Sequence, residues 1–393
     1  MKKIKKFLTI IEITLLMTLI SVCISGCAQS QAALPNEAEK SESEETKAQE
    51  ETSDAGAFTQ EEDDYTDGLG STLEGDTVKA SDSKEDELKK QEEEEEPEEE
   101  EEEVDEYLVD LIFFMGQSNM SGCGGDADLA PMVAENKGYE YRSVSDPTRL
   151  YPITEPFGIN ENRIGGLMEY PNGKKGSIVS AFVNEYYELT KRKVVAVSIS
   201  KGETSISDFL QPDIMADVEE RYKFSKSYLQ NNGYHIGHIY AVWLQGESDA
   251  LEGTGYEVYK TKLDDFFRPM FIEGLEKVFI ITPGRTIDYK NIYMSIIDAQ
   301  KQVCKESGYY ALATTVLGGV STEYMVDMYH YNQHVLNMVG IESAKSLAYY
   351  TLNGKKKIVY DYNEKDYLIP DSVEEGSQDL DAPLDLSRIN DMY

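Results

Sequence analysis

From about residue 106 onward, this 393-residue sequence predicts an α/β fold: a three-layer αβα sandwich around a five-stranded, mainly parallel sheet. Short apolar runs alternate with amphipathic stretches, as strands joined by crossover helices do. The runs are continuously apolar, which is what strands need when helices cover both faces of their sheet. Polar clusters follow several runs directly, and parallel sheets place their chemistry beyond the carboxyl ends of their strands.

The first run, "YLVDLIFF", starts at Tyr107 and passes into "MGQSNMSG". Gly116 gives the backbone freedom to turn there and carries Ser118 outward at the strand end. A nucleophile would sit at such a place, and so would an ordinary strand-to-helix turn, because Gly, Ser and Asn are common in any loop. Residues 126–175 hold Pro131, Pro147, Pro152, Pro156 and Pro171 with little periodicity, and are predicted to form an extended wall of a cleft. "GSIVSAFVNEYYELTKR" is helical, with Ile178, Phe182 and Tyr186 on one face. Strand "KVVAVSIS", helix "IMADVEERYKFSKSYLQNN", strand "HIYAVWLQ" and helix "YEVYKTKLDDFFRPMFIEGL" follow in turn. Then come strand "KVFIITPG", helix "SIIDAQKQVCKES", strand "YALATTV" and helix "QHVLNMVGIESAKSLAYYTL". "KKKIVYDYNEKDYLIP" predicts an added hairpin, and the stretch from Asp371 to Tyr393 a frayed acidic tail. The body is thus 106–355 and the C-terminal extension, partly disordered, 356–393.

Ahead of the body the composition changes sharply. Residues 1–26 have four lysines, an apolar stretch and small residues before Cys27, the layout of a secretory signal. A spanning helix would need about 20 uninterrupted apolar residues, and Glu12 leaves only Ile13 to Ile24 clean. The ending "ISGC" looks like a bacterial lipobox, with Cys27 as the lipidated first residue of a membrane-anchored protein on the extracytoplasmic face. Residues 27–105 read as a disordered acidic stalk: Glu37 to Glu106 carry 32 acidic residues against 6 lysines and almost nothing to bury. No basic patch stands out in the body, which excludes nucleic acid as a partner. Beyond Cys23 and Cys27 only Cys123 and Cys304 occur, so a disulfide-stapled scaffold and a C-x-x-C metal or redox site are both excluded.

A serine hydroxyl attacks only when a base takes its proton. Of the four histidines, His235 and His238 enter a strand three apart and read as structural, and His334 falls in the last helix. His330 differs, because "DMYH" sets Asp327 three residues before it in a loop, a base and an orienting acid from one short segment. Ser118 itself lies in G-x-S-x-M, which lacks the second glycine of the common nucleophile elbow.

"GQSNMSG", "SKGETSI", "WLQGESD" and "DMYHYN", in this order between Leu108 and about Tyr350, resemble the motifs of the sialate O-acetylesterase-like carbohydrate acetylesterases of the SGNH hydrolase superfamily. The resemblance implies Ser118 as nucleophile, His330 as base and Asp327 as its orienting acid. It also implies an oxyanion hole from the backbone N–H groups of Ser118 and Gly202 and the side-chain amide of Gln245, with Gln117, Asn119 and Glu247 in support. Glu247 stands as an alternative orienting acid, since a glutamate of the Gln-Gly-Glu motif can serve in related enzymes. Glu203 departs from the family pattern, which commonly has a second glycine there; an inward carboxylate would oppose the oxyanion, and an outward one is expected. The lone Trp243 is expected in the core. The implied activity is a serine esterase that removes O-acetyl groups from a carbohydrate, with no metal or organic cofactor. The alternatives are a non-catalytic carbohydrate-binding protein on the same fold and an esterase acting on lipid or thioester acyl groups.

Overall fold

The structure, a computed structural model, describes residues 105–392. The predicted signal, Cys27 and all of the stalk except Asp105 lie outside the described residues. The body begins with β1 (Leu108–Gly116), a short helix α1 (Ser118–Ser121), β2 (Gly138–Tyr141), β3 (Leu150–Pro152), helix α2 (Val179–Thr190) and β4 (Lys193–Ser200). It continues with α3 (Ile206–Phe209), α4 (Pro212–Asn231), β5 (His235–Leu244), α5 (Glu247–Glu252), α6 (Tyr256–Ile272) and β6 (Lys277–Ile281). Helix α7 (Met294–Glu306), β7 (Tyr310–Thr314), α8 (Gln333–Asn353) and the hairpin β8 (Val359–Asp361) and β9 (Asp366–Leu368) complete the main elements.

The sheet has seven strands where the sequence predicts five, in the order β3-β2-β4-β1-β5-β6-β7. All neighbours are parallel except β3, which runs antiparallel to β2. The two additional strands come from the proline-bearing segment. They are only 4 and 3 residues long, too short to show a period of two, and the edge of β4 supplies what their own sequence does not.

Alternate residues of the central strand feed two separate cores. Ile112 and Phe114 meet α2 and α8 through Phe182, Tyr186, Leu336 and Val339. Leu111, Phe113 and Met115 meet α4, α6 and α7 through Tyr222, Phe266, Phe267 and Ile296. Both sets are buried, which is why the strands carry continuous apolar runs. The exception in β1, Asp110, is fully buried and fully partnered. Arg192 donates to both of its oxygens at 2.7 Å, Tyr186 Oη donates to it at 2.8 Å and the His238 N–H at 2.9 Å.

The chain leaves β1 to one side to build β2–β4, then crosses to the other side for β5–β7, so the order reverses at β1. Such a reversal opens a crevice at the carboxyl ends of the strands. Gly116 is in register with both Ser200 of β4 and Leu244 of β5, so the three following loops leave from one level.

The wall segment is ordered by carboxylates that cap its backbone in place of a ladder. Glu155 accepts from the N–H groups of Phe157 and Ser177, and Glu161 from those of Val144 and Ser145. Asp217 of α4 accepts from the Leu167 N–H, while its buried partner Arg221 reaches the carbonyls of Ser198 and Glu161. At the other end the predicted hairpin is present. The tail expected to fray has Val373 and Ile389 buried, Ile389 at 0 % exposure, so it is anchored by packing at two points. No helix among the described residues is long and apolar enough to cross a membrane.

Candidate active site

Gly116 ends β1 at φ +142°, and a Cβ built on it would lie 2.0 Å from the Leu244 carbonyl oxygen. Only glycine fits such an elbow. The Gln117 N–H donates to that same carbonyl at 3.0 Å. The Gln117 side-chain oxygen accepts from the N–H groups of Gly246 and Ser248, at 3.4 and 3.2 Å, and so ties the β1 turn to the β5 turn. Ser118 then opens α1, where the first N–H groups of a helix have no intrahelical acceptor. Its own N–H is therefore open to an oxyanion.

His330 lies in the loop between β7 and α8, closed by the Val326 N–H donating to the His330 carbonyl at 2.9 Å. His330 Nδ1 and Asp327 Oδ2 are 2.7 Å apart, and Asp327 Oδ1 accepts from the N–H groups of Tyr329 and His330, each at 2.9 Å. The pairing orients the ring and engages Nδ1, so Nε2 is the nitrogen left for proton transfer. Burial pushes the Asp327 carboxyl up, but the imidazole and the two N–H donors prevail and hold it below the usual carboxylate range. A charged acid therefore sits beside the base.

Asn119 brings the two ends of the body together. Its Nδ2 donates to Glu247 Oε1 at 2.9 Å and to the Tyr329 carbonyl at 3.2 Å, and its Oδ1 accepts from the Tyr331 N–H at 3.4 Å, across 212 residues of chain. A Cβ on Gly124 would meet the Tyr331 carbonyl oxygen at 2.3 Å and His330 Cβ at 2.7 Å. The turn after the serine thus lies directly against the histidine segment.

Glu247 is not the acid paired with His330, since Nδ1 is taken by Asp327. It is buried beneath the site, gives one oxygen to Asn119 and leaves Oε2 without a partner. Burial raises its carboxyl above the usual range against the opposing effect of the Asn119 bond.

Gln245 requires a correction. It is fully buried, its Nε2 donates to the Thr204 carbonyl at 3.1 Å and to Asp249 Oδ2 at 2.5 Å, and its Oε1 accepts from Tyr259 Oη at 2.9 Å. Both ends of the amide are used, Nε2 in joining the segments after β4 and β5 and Oε1 in holding Tyr259 of α6, so it is not an oxyanion donor here. Gly202 follows β4 as predicted, but its N–H donates to Glu169 Oε2 at 2.7 Å. Glu169 comes from the wall segment and is 3 % exposed. Nothing in its local sequence marks it; only the fold brings it to the second motif. Glu203 has φ +54° and its exposed carboxylate accepts from Tyr170 Oη at 3.0 Å, so it is turned to the surface rather than onto the Gly202 donor.

The remaining candidates take structural places. Trp243 is fully buried and donates to Tyr259 Oη at 3.3 Å. His235 and His238 pair with Asp105 and Glu276 at the amino-terminal half of β5, away from the cleft. Cys123 and Cys304 are free thiols, and burial pushes Cys123 up to about 12, which removes it as a nucleophile. Among the described residues no group of three or more His, Cys, Asp or Glu side chains gathers as a metal site would.

The arrangement supplies an alcohol at a strained elbow, an imidazole with a charged acid behind it, and backbone N–H donors on the neighbouring loops: the parts of acyl transfer. Residues 109–348 match the family described as carbohydrate esterase, sialic acid-specific acetylesterase. No curated protein matches the chain. Among solved structures, a protein of Arabidopsis thaliana is 17% identical with a TM-score of 0.46, covering 61% of this chain and 96% of that one. A Geobacillus acetyl-xylooligosaccharide esterase is 9% identical with a TM-score of 0.35, covering 61% and 94%. A carbohydrate acetylesterase from Xanthomonas citri is 12% identical with a TM-score of 0.38, covering 63% and 58%.

Proposed function

The chain belongs to the carbohydrate esterase family of sialic acid-specific acetylesterases and is a carboxylic ester hydrolase; from that premise we propose that it removes O-acetyl groups from a glycan through Ser118, His330 and Asp327. Ser118 Oγ attacks the acetyl carbonyl carbon while His330 Nε2 takes its proton. The resulting oxyanion is met by the Ser118 N–H and, once Glu169 no longer holds it, by the Gly202 N–H; backbone donors aimed at the developing charge are worth more in the transition state than in the ground state. His330 returns the proton to the departing sugar oxygen, leaving acetyl on Ser118. Water, deprotonated by the same imidazole, releases acetate and restores the serine.

The observation that supports this reading most is the His330–Asp327 pair at 2.7 Å, on a loop that Asn119 seats against the Ser118 turn. The test is turnover of 4-nitrophenyl acetate, together with acetate release from a panel of acetylated xylan, sialosides and cell-wall glycans. Ser118→Ala is expected to lose at least ~10³-fold in kcat. Equal turnover by wild type and Ser118→Ala would exclude the serine mechanism. We further propose that Cys27 carries lipid and displays the enzyme at the cell surface on the acidic stalk. Cys27→Ala should then move the protein from the membrane to the soluble fraction; a protein that stays in the same fraction after the change would reject the anchor.

A further inference from the structure

We propose that Glu169 is an internal occupant of the ester site: a carboxylate that holds the Gly202 N–H in the substrate-free enzyme and has to be displaced before an acetyl carbonyl can use that donor. The inference rests on the reading of Gly202 as an oxyanion donor.

A carboxylate is the chemical likeness of the acetate this enzyme would release. Glu169 is bound as acetate would be, with one oxygen accepting from the Gly202 N–H at 2.7 Å and the other from the Tyr170 N–H at 3.1 Å. The backbone is shaped around it. A Cβ on Gly202 would meet Glu169 Oε1 at 2.9 Å, and one on Gly173 would meet Glu169 Cγ at 2.7 Å, so both positions are glycine where the carboxylate passes. Lys174, the buried cation of this segment, attracts the carboxylate without a hydrogen bond to it: its Nζ donates to Ser200 Oγ at 2.8 Å and Ser198 Oγ at 3.4 Å. The strong bond left to Glu169 is the one to the oxyanion donor.

An N–H serves one short acceptor at a time, and a charged acceptor outcompetes a neutral ester carbonyl. Release of Glu169 is therefore charged against every turnover and appears as a lowered kcat/KM. The residues flanking Glu169, Met168 and Tyr170, are 47% and 59% exposed. Glu169 itself is 3% exposed, so freeing the donor requires the segment whose flanking side chains face solvent to move away from Gly202.

The test compares full-length wild type with Glu169→Ala and Glu169→Gln, the second keeping the volume of the side chain in case the first fails to fold. Two readouts are taken: kcat/KM on 4-nitrophenyl acetate, with Ser118→Ala as the blank, and melting temperature in sodium acetate against sodium chloride at equal ionic strength. Removing a charge-assisted bond from the donor is expected to raise kcat/KM about tenfold or more for Glu169→Ala, with Glu169→Gln in between. Acetate should raise the melting temperature of Glu169→Ala and leave wild type unmoved, because only the variant has the donor vacant. Where Ser118-dependent turnover exists, activity decides: folded variants with kcat/KM at or below wild type overturn the proposal. Where no Ser118-dependent turnover exists, the catalytic reading has failed separately and the acetate shift decides, its absence in Glu169→Ala overturning the inference.

Discussion

Gly116→Ala tests the elbow on which the proposed nucleophile stands. The new Cβ would be 2.0 Å from the Leu244 carbonyl oxygen. Ordinary contact begins near 3.4 Å, so the two backbones have to separate by roughly 1.4 Å, the gap between those distances. Leu244 O also receives the Gln117 N–H at 3.0 Å, and a displacement of that size breaks the bond and carries Ser118 with it. A shift of about 1 Å at a reacting atom costs on the order of 10²-fold in rate. The φ of +142° adds backbone strain of about 1–3 kcal/mol for any L residue. Together with the lost packing this lowers the melting temperature by on the order of 10 °C. Gly253→Ala is the control: φ is +75° there, but a Cβ would meet nothing within 4 Å. Its cost is therefore confined to about 1 kcal/mol of local strain, with activity unchanged. Steady-state kinetics on 4-nitrophenyl acetate and thermal melts of both variants decide. A Gly116→Ala enzyme as active and as stable as Gly253→Ala would refute the elbow argument.

Asp327→Asn and Glu247→Gln separate the two acids the sequence left open. Asp327 is paired with His330 but its side chain is 50% exposed; water can partly replace it, so kcat is expected to fall about 10²–10³-fold, against ~10⁴ for a fully buried triad acid. Glu247→Gln keeps an acceptor for Asn119 and should cost less than about tenfold; the reverse order of losses would assign the orienting role to Glu247. Lys174 makes a pH prediction. Burial pushes it down to about 8 against the attraction of Glu169, from 10.5 in an unfolded chain. Below about pH 8 both states hold the proton and the fold bears the buried charge; between 8 and 10.5 the unfolded chain binds more protons, so stability rises through that window by up to about 3 kcal/mol. Urea midpoints of wild type and Lys174→Met at pH 7 and 9.5 measure it. The wild-type midpoint should gain on the variant at the higher pH, and parallel behaviour would count against the buried-charge account.

The parts legible in the sequence share one property: each is encoded within a few consecutive residues. Continuous apolar runs such as "KVVAVSIS" identified strands covered on both faces, and Gly116 with Ser118 identified the turn. Asp327 and His330, three apart in a loop, were readable as a pair and lie 2.7 Å apart in the structure. β2 and β3 were not legible, because 4 and 3 residues carry no period and the pairing comes from neighbours, β4 for β2 and β2 for β3. The wall was legible only as irregular, since its order comes from carboxylates such as Glu161 and Asp217 reaching backbone N–H groups far along the chain.

By itself, then, the amino-acid order determined the layered α/β architecture, the serine at the end of β1 and the acid–imidazole unit near the end of the body, because local geometry suffices for each. Which donors are free was decided only by tertiary structure. Gln245 and Gly202 both sit in motifs that announce oxyanion donors, yet Asp249, Thr204 and Tyr259 use up the first and Glu169 holds the second. Asp249 lies in the same motif as Gln245, but Thr204, Tyr259 and Glu169 come from elsewhere in the chain, and a competition that distant residues enter leaves no trace in the spacing of a motif.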